Sequence, residues 1–236
     1  MSAMSTMSTT GADNVPWPPA EWEAMQNEAS IWRAKWRALP DAGALFLLDG
    51  ASCSGKSTLV DRLAADATLP LELVLRYSTR QRRPDDQPRR EYLFVSRERF
   101  LELARAGGFI EYRDFQFGMS YGLPWAEAFA PLLKGRHGLA IINLGNVRHV
   151  KALLPEAVTI LVDAPLETIR QRLIARGVNT PEQIEERLTN AARVEMYRPF
   201  YDYVVRNDDG TLTEAQEFLR ALVLSRTAHT KTSPSA

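Results

Sequence analysis

Cysteine and histidine are scarce in this chain of 236 residues, and their scarcity excludes two common kinds of structural site. The single cysteine, Cys53, rules out an intramolecular disulfide, which suits a reducing compartment and leads us to expect a cytoplasmic protein. The three histidines, His137, His149 and His229, do not have the spacing of zinc ligands. Neither a disulfide framework nor a structural zinc site is therefore expected.

Two further absences limit the range of partners. Lysine plus arginine and aspartate plus glutamate both total 29, so the chain lacks the basic excess that is typical of nucleic-acid-binding proteins. No apolar run reaches the roughly 18 residues that a membrane-spanning helix needs. We therefore expect neither a nucleic-acid partner nor a membrane partner.

The composition predicts a central folded domain with an extension at each end. Residues 1–41 are expected to comprise a disordered Ser/Thr-rich tail and a tryptophan-rich helix, and residues 227–236 a second disordered tail. Large apolar residues recur in the helix at three- and four-residue steps: Trp22, Met25, Ala29, Trp32 and Trp36. This face either packs on the domain's own core or forms a partner surface, such as the seam of a homodimer.

Strand and helix patterns alternate through residues 42–226. Apolar runs predict strands at 44–50, 71–79, 139–144, 157–164 and 201–208. The runs between them predict helices, two of which have a capping residue, Ser96 or Thr180, at the start. This alternation is typical of an α/β fold with a parallel sheet that is covered on both faces.

The strongest chemical signal is a segment that fits the pattern G-x-x-x-x-G-K-[ST] between a predicted strand and a predicted helix. Its glycines let the backbone surround phosphates, and the helix N-terminus adds partial positive charge. The candidate ATP-binding residues are Gly50, Ala51, Ser52, Cys53, Ser54, Gly55, Lys56, Ser57 and Thr58. Lys56 is expected to act in catalysis on the β- and γ-phosphates, and Ser57 to bind Mg²⁺.

An arginine-rich segment follows the second predicted strand and admits three interpretations. Its members are Arg76, Arg80, Arg82, Arg83, Arg89 and Arg90. The segment is a solvated loop that pairs with nearby carboxylates, a nucleic-acid patch, or a clamp that binds an acceptor phosphate through bidentate hydrogen bonds.

From this segment onward the sequence resembles the guanylate kinase family. The family's S-x-T-T-R-x-P-R and its tyrosine before F-V-S are similar to residues 77–83 and 92–96. Its F-L-E-W and G-N-x-Y-G are similar to residues 109–112 and 118–122, and its lid arginines to Arg176 and Arg187. Its Y-D-Y-V-V-x-N-D-D ending is similar to residues 201–209. The resemblance covers about residues 44–225, with the motifs in the same order.

This resemblance implies a P-loop NTPase three-layer fold with a central parallel sheet, an acceptor-binding part at 80–122 and a helical lid at 176–194. It implies that ATP, with Mg²⁺ as cofactor, donates a phosphoryl group to a small phosphorylated acceptor. The implied acceptor-binding residues are Arg80, Arg83, Tyr92, Glu111, Tyr121 and Asn143, of which Glu111 reads the guanine edge. Arg176 and Arg187 are implied catalytic residues, and Asn207 an ATP-binding residue.

Three positions depart from the family pattern and leave the acceptor open. Leu123 stands where the family has a serine or threonine, and Ile141 and Asn143 stand where it has two acidic residues. At residues 76–80 and 118–124 and at Asn143 the chain also resembles ribose 1,5-bisphosphate phosphokinase, whose acceptor has no base. We therefore expect GMP as the acceptor, with a ribose phosphate as the alternative.

Two other classes of function stay open. Domains of this kind also serve as non-catalytic binding modules, although the intact Lys56 and Ser57 argue for catalysis. An acceptor with a free hydroxyl would require a carboxylate base, for which Asp49 and Asp114 are the candidates.

Overall fold

The computed structural model describes residues 16–82, 92–114 and 119–230, with side chains described up to residue 226. The strands are β1 Leu45–Asp49, β2 Leu71–Leu73, β3 Arg76–Ser78, β4 Tyr92–Phe94, β5 Phe109–Asp114, β6 Ser120–Pro124, β7 His137–Ile141, β8 Val158–Asp163 and β9 Tyr203–Arg206. The α-helices are α1 Pro19–Arg37, α2 Lys56–Ala65, α3 Arg97–Arg105, α4 Trp125–Phe129, α5 Val147–Leu153, α6 Leu166–Ala175, α7 Pro181–Ala192, α8 Val194–Tyr197 and α9 Leu212–Thr230. None of the helices within these ranges is long and apolar enough to cross a bilayer.

A five-stranded parallel sheet in the order β2-β7-β1-β8-β9 forms the centre of the molecule. All five residues of β1 are buried, as expected of a parallel strand that is covered on both faces. Leu45 and Leu47 join a core cluster with α1 and α5, whereas Phe46 and Leu48 join a second cluster with α2 and α9. The predicted three-layer α/β fold is confirmed.

The apolar run at 71–79 is two strands rather than the single strand that we predicted. β2 pairs with β7 in the parallel sheet, and β3 pairs with β4 and β6 in a separate four-stranded sheet of order β4-β3-β6-β5. The amide of Val74 still bonds to Leu139 O at 2.8 Å, and the chain then leaves the first sheet. Apolar periodicity cannot reveal this change, because both halves of the run are extended and bury apolar residues.

Two helices begin at the capping residues that the sequence predicts, whereas the last helix is longer than predicted. Ser96 Oγ accepts a bond from the Arg99 amide at 3.2 Å, and Thr180 and Gln183 form a reciprocal capping box. Helix α9 continues to Thr230, whereas a disordered tail was predicted from residue 227. The sequence has no glycine or proline between Gly210 and Pro234, so nothing in its composition ends the helix earlier.

The tryptophan-rich helix α1 packs on the core of its own chain. Met25 and Ala29 are buried, and the rings of Trp32 and Trp36 lie 5.2 and 5.5 Å from that of Phe129. The interpretation in which this face packs internally is therefore confirmed. Whether the chain also forms a homodimer stays a prediction.

The burial of α1 predicts a large loss of stability when its central side chain is shortened. Met25→Ala should lower the free energy of unfolding by about 2–5 kcal/mol, because it leaves a cavity in a fully buried site. Ile31 lies on the same helix and is 48% exposed, so Ile31→Ala should change it by less than about 0.5 kcal/mol. Urea denaturation of both variants measures the difference, and equal effects would contradict the packing of α1 on the domain.

Candidate active site

A cavity of about 960 Å³ lies between the glycine-rich loop, the four-stranded sheet and helices α6 and α7. The predicted site residues that line it are Ser52, Cys53, Gly55, Lys56, Ser57, Thr58, Arg80, Tyr92, Tyr121, Arg176, Arg187 and Asn207. Gly50, Ala51, Ser54, Glu111 and Asn143 do not line it, and Arg83 lies outside the described residues. One cavity therefore joins the predicted ATP site, acceptor site and lid.

The glycine-rich loop is so tightly wound that two of its positions admit only glycine. Gly50 and Gly55 have positive φ angles of 145° and 96°. A Cβ atom on Gly50 would lie 2.2 Å from the Val162 carbonyl oxygen, and one on Gly55 would lie 1.9 Å from Asn207 Nδ2. Lys56 is half-buried, and its Nζ donates to the carbonyl oxygens of Gly50 and Ala51 at 2.6 Å each.

A buried carboxylate anchors the start of this loop. Asp49 is fully buried, and its side chain accepts bonds from the Gly50 amide at 2.6 Å and the Tyr201 hydroxyl at 2.5 Å. Burial raises the pKa of Asp49 to about 6, against the opposing effects of these two bonds and of Lys56. Burial and Asp49 also raise the pKa of Tyr201, which keeps its hydroxyl protonated as a donor.

The two carboxylates that we considered as general bases lie outside the cavity. Asp49 is enclosed beneath the loop, as described above. Asp114 pairs with Arg97 at 2.9 Å and accepts a bond from Ser120 Oγ at 2.7 Å. A reaction that must deprotonate an acceptor hydroxyl therefore finds neither predicted base within reach.

The predicted phosphate ligands of the acceptor converge on one wall of the cavity. The guanidinium of Arg80 lies over the rings of Tyr92 and Phe94, 5.3 and 5.0 Å from their centroids. The ring of Tyr92 is in turn 5.5 Å from that of Tyr121. Because β4 and β6 flank β3, the four-stranded sheet brings these separated residues together.

Glu111 lies behind this wall, where both of its carboxylate oxygens accept hydrogen bonds. It is fully buried, and its Oε2 accepts bonds from the side-chain amides of Asn143 and Asn146 at 2.7 Å each. Arg76 Nη2 lies 3.3 Å from its Oε1. An amide at position 143 stabilises the Glu111 carboxylate, whereas the acidic residue that is usual in the family would repel it.

Three arginines reach the cavity from the helical side. Arg187 Nη1 donates to Ser52 Oγ at 3.0 Å, and Arg176 is exposed on the cavity wall. Arg172 donates to the carbonyl oxygens of Cys53 at 3.4 Å and Asn207 at 3.0 Å. Asn207 Nδ2 donates to Ser54 O at 2.7 Å, so the predicted ATP-binding asparagine supports the loop from below.

Sequence reasoning missed Arg76, Asn146 and Arg172 as members of this site. Arg172 lies one helical turn before Arg176, which is a signal that the spacing contained. Arg76 stood in the arginine-rich segment without an assigned role. Asn146 carried no signal, because only the fold brings it to Glu111.

The donor set of the cavity fits a magnesium ion that is held mainly by nucleotide phosphates. Ser57 is exposed on the cavity wall and offers a hard oxygen donor. Ile141, at a position where the family pattern has an acidic residue, lines the cavity but offers no oxygen ligand. Asp163, at the end of β8, has a carboxylate, but that carboxylate is paired with Arg198 at 2.6 Å. Within the described ranges, no three histidine, cysteine or acidic residues are grouped so that they could hold a metal by themselves.

Comparison with known proteins decides the family. A family model described as guanylate kinase matches residues 43–222. The chain belongs to the guanylate kinase family. It is 37% identical over 182 residues to a guanylate kinase of Hahella chejuensis, which covers 76% of this chain and 86% of that protein. It is 36% identical over 186 residues to a guanylate kinase of Thermus thermophilus, which covers 78% of this chain and 82% of that protein.

The fold of the guanylate kinase family is also evident in three dimensions. A guanylate kinase structure from Anaplasma phagocytophilum superimposes with a TM-score of 0.61 at 24% identity. The match covers 79% of this chain and 87% of that one. Helix α1 precedes the region that the family model matches.

The buried carboxylate of Asp49 predicts a pH-dependent stability. Its pKa rises from 3.8 to about 6 on folding, so the native state binds more protons between these values and stability falls as pH rises through them. Above pH 6 the destabilisation reaches about 3 kcal/mol. Asp49→Asn removes this ionisation, so the variant should become more stable relative to the parent from pH 4 to 6.5 and then hold a constant difference.

Urea denaturation across this pH range measures the effect. Asp41→Asn, which neutralises an exposed carboxylate in the loop before β1, is the matched control. A stability difference for Asp49→Asn that does not vary between pH 4 and 6.5 would contradict the assignment.

Proposed function

We propose that this chain is an ATP-dependent kinase that transfers the γ-phosphoryl group of ATP to the phosphate of GMP. The observation that carries the proposal is the single cavity that joins Lys56 of the glycine-rich loop to Arg80, Tyr92 and Tyr121. Membership of the guanylate kinase family supports the same reaction. The proposed kinase domain is residues 42–226.

ATP is proposed to bind with its phosphates in the glycine-rich loop. The loop amides and the N-terminus of α2 attract the negative charge of the ATP phosphates. Lys56 exchanges its hydrogen bonds to the Gly50 and Ala51 carbonyl oxygens for bonds to phosphate oxygens. Ser57 holds Mg²⁺, which neutralises charge on the phosphates when it is bound. Asn207 keeps the loop in shape through its bond to Ser54 O.

The acceptor phosphate is proposed to lie against Arg80, Tyr92 and Tyr121. The stacked position of Arg80 on Tyr92 restricts its guanidinium, so less entropy is lost when it grips a phosphate. Arg83 is the fourth predicted ligand of this phosphate. Glu111 and Asn143 belong to the base end of the acceptor site.

The proposed lid, residues 176–194, supplies positive charge to the transferring group. Arg187 reaches Ser52 of the loop, and Arg176 points from the wall of the same cavity. The acceptor oxygen is already ionised, so transfer needs no general base, and positioning with charge stabilisation provides the rate enhancement. This agrees with the absence of Asp49 and Asp114 from the cavity lining of the described residues.

The proposed function also concerns the compartment in which the protein acts and its oligomeric state. We expect the protein to act in the cytoplasm, where a single thiol stays reduced. A homodimer through α1 would have to use the helix surface around Ile31, because the tryptophan face packs on the chain's own core. Size-exclusion chromatography with light scattering separates monomer from dimer.

The first test of the function is the loss of the loop lysine. Lys56→Ala should lower kcat for GMP phosphorylation by at least about a hundred-fold, because it removes charge stabilisation from the transferring group. Lys134→Ala, which changes an exposed lysine outside the cavity, should keep the parent rate. A coupled assay of ADP release with GMP and with ribose phosphates as acceptors also identifies the acceptor. Parent-like activity in Lys56→Ala would sink the proposed mechanism.

The second test concerns the acceptor phosphate. Arg80→Ala should raise KM for GMP, or lower kcat/KM, by about ten- to a thousand-fold, because one or two charge-assisted bonds are lost. The KM for ATP should change much less. Arg82→Ala removes a neighbouring arginine that does not line the cavity, and it should leave both constants near their parent values. Equal changes in both KM values for Arg80→Ala would contradict the assignment.

A further inference from the structure

Arg76 is a buried cation whose hydrogen-bonding capacity is not met. It is 5% exposed, and it nevertheless lines the cavity. Its Nε is enclosed by the protein and finds no hydrogen-bond partner among the described residues. Buried polar groups in native proteins are almost always bonded, so a guanidinium with unmet donor capacity at a cavity wall points to a ligand that bonds to this cation from the cavity.

Arg76 stands between the cavity and Glu111. Its Nη2 lies 3.3 Å from Glu111 Oε1, and its guanidinium carbon lies 6.0 Å from the centre of the Tyr92 ring. Glu111 does not line the cavity, and its Oε2 already accepts two amide bonds. The group that meets the acceptor here is therefore a hydrogen-bond donor, and the carboxylate behind it holds that donor in place.

The surroundings of Arg76 suit a flat base. Leu73, Val74 and Ile141 line the same cavity with apolar side chains. Leu123, which stands where the family has a hydroxyl, is fully buried and does not line the cavity. Arg76 also lies four residues before the phosphate ligand Arg80, a span of roughly 13 Å in extended chain, which matches the length of a nucleoside monophosphate.

We propose that Arg76 is a base-reading residue, and that its guanidinium donates hydrogen bonds to O6 and N7 of guanine. Guanine presents these two acceptors side by side, and the fork of an arginine matches them. Adenine presents an amino donor in place of O6, which would face the donors of Arg76. The inference rests on the proposed function and extends it, because it assigns base selection to Arg76 and makes Glu111 its positioning residue.

Acceptor analogues test this assignment on the unmodified protein. IMP keeps O6 and N7 and lacks the 2-amino group, whereas AMP replaces O6 by an amino group. We expect kcat/KM for GMP and IMP to agree within about five-fold. Both values should exceed that for AMP by about 5- to 150-fold, which is the discrimination that one bidentate pair provides. Loss of IMP turnover together with AMP, while GMP is phosphorylated, would overturn the assignment.

Variants of Arg76 give the second test. Arg76→Met should lower kcat/KM for GMP and IMP alike by about 5- to 150-fold and reduce the preference over AMP, with KM for ATP unchanged. Arg76→Lys keeps the charge but loses the fork, so it should restore only part of the preference. Arg99→Ala, at an exposed arginine on α3, is the control. An Arg76→Met protein with the parent's GMP to AMP ratio would show that Arg76 is only the structural counter-ion of Glu111.

Glu111 separates positioning from direct reading. If Glu111 only holds Arg76, Glu111→Gln should lower turnover of GMP and IMP by the same factor, whereas direct reading of the 2-amino group would lower GMP selectively. If Arg76→Met does not fold, the double variant Arg76→Met/Glu111→Gln removes both buried charges and permits the same comparison. Absence of GMP turnover by the parent would overturn the proposed function as well, whereas turnover with an unchanged base preference in the variants would overturn this inference alone.

Discussion

The pairing of β1 between β7 and β8 is the constraint on which the rest of the structure depends. Parallel strands end at one edge of the sheet, so this pairing gathers the glycine-rich loop, Ile141, Asp163 and, through β9, Asn207 at that edge. The close approach of Gly50 to the Val162 carbonyl and of Gly55 to Asn207 shows how little space is left. The geometry of the proposed phosphate site therefore depends on strand packing as much as on the loop sequence.

The second sheet positions the residues of the proposed acceptor site. Residues 76–80 form β3 and the two residues after it. The flanking strands β4 and β6 place Tyr92 and Tyr121 on the same cavity wall as Arg80. Behind this wall, Glu111 accepts hydrogen bonds from Arg76 of β3 and from Asn143 and Asn146 of the loop between β7 and α5. A buried carboxylate needs such donors, because the free energy of burying an unpaired charge is prohibitive. The departures from the family pattern at Asn143 and Leu123 make sense in this network: the first donates to Glu111 and the second fills the core.

In both proposed half-sites a buried acidic residue thus lies beneath half-buried basic side chains. Asp49 fixes the Gly50 amide under the loop that carries Lys56, and Glu111 fixes Arg76 under the wall that carries Arg80. The two carboxylates differ in their partners: Asp49 accepts hydrogen bonds from neutral donors, whereas Glu111 faces a guanidinium in addition to two neutral amides. Preorganised positive groups of this kind are what phosphoryl transfer requires, since the enzyme must stabilise charge rather than move a proton.

The sequence by itself determined the α/β class, the glycine-rich loop with Lys56 and Ser57, and the capped helices at Ser96 and Thr180, because these features depend on local spacing and periodicity. It also carried the motifs through which the chain resembles its family. Only the tertiary structure decided that residues 71–79 divide between two sheets, that α1 packs on the core, and that Arg76 stands before Glu111. Strand partners and buried ion pairs join residues that are distant in the chain: Arg76 and Glu111 are 35 positions apart, and Asp49 and Tyr201 are 152 apart. No local pattern encodes such contacts, since their energy comes from burial and charge pairing that exist only after the layers have packed.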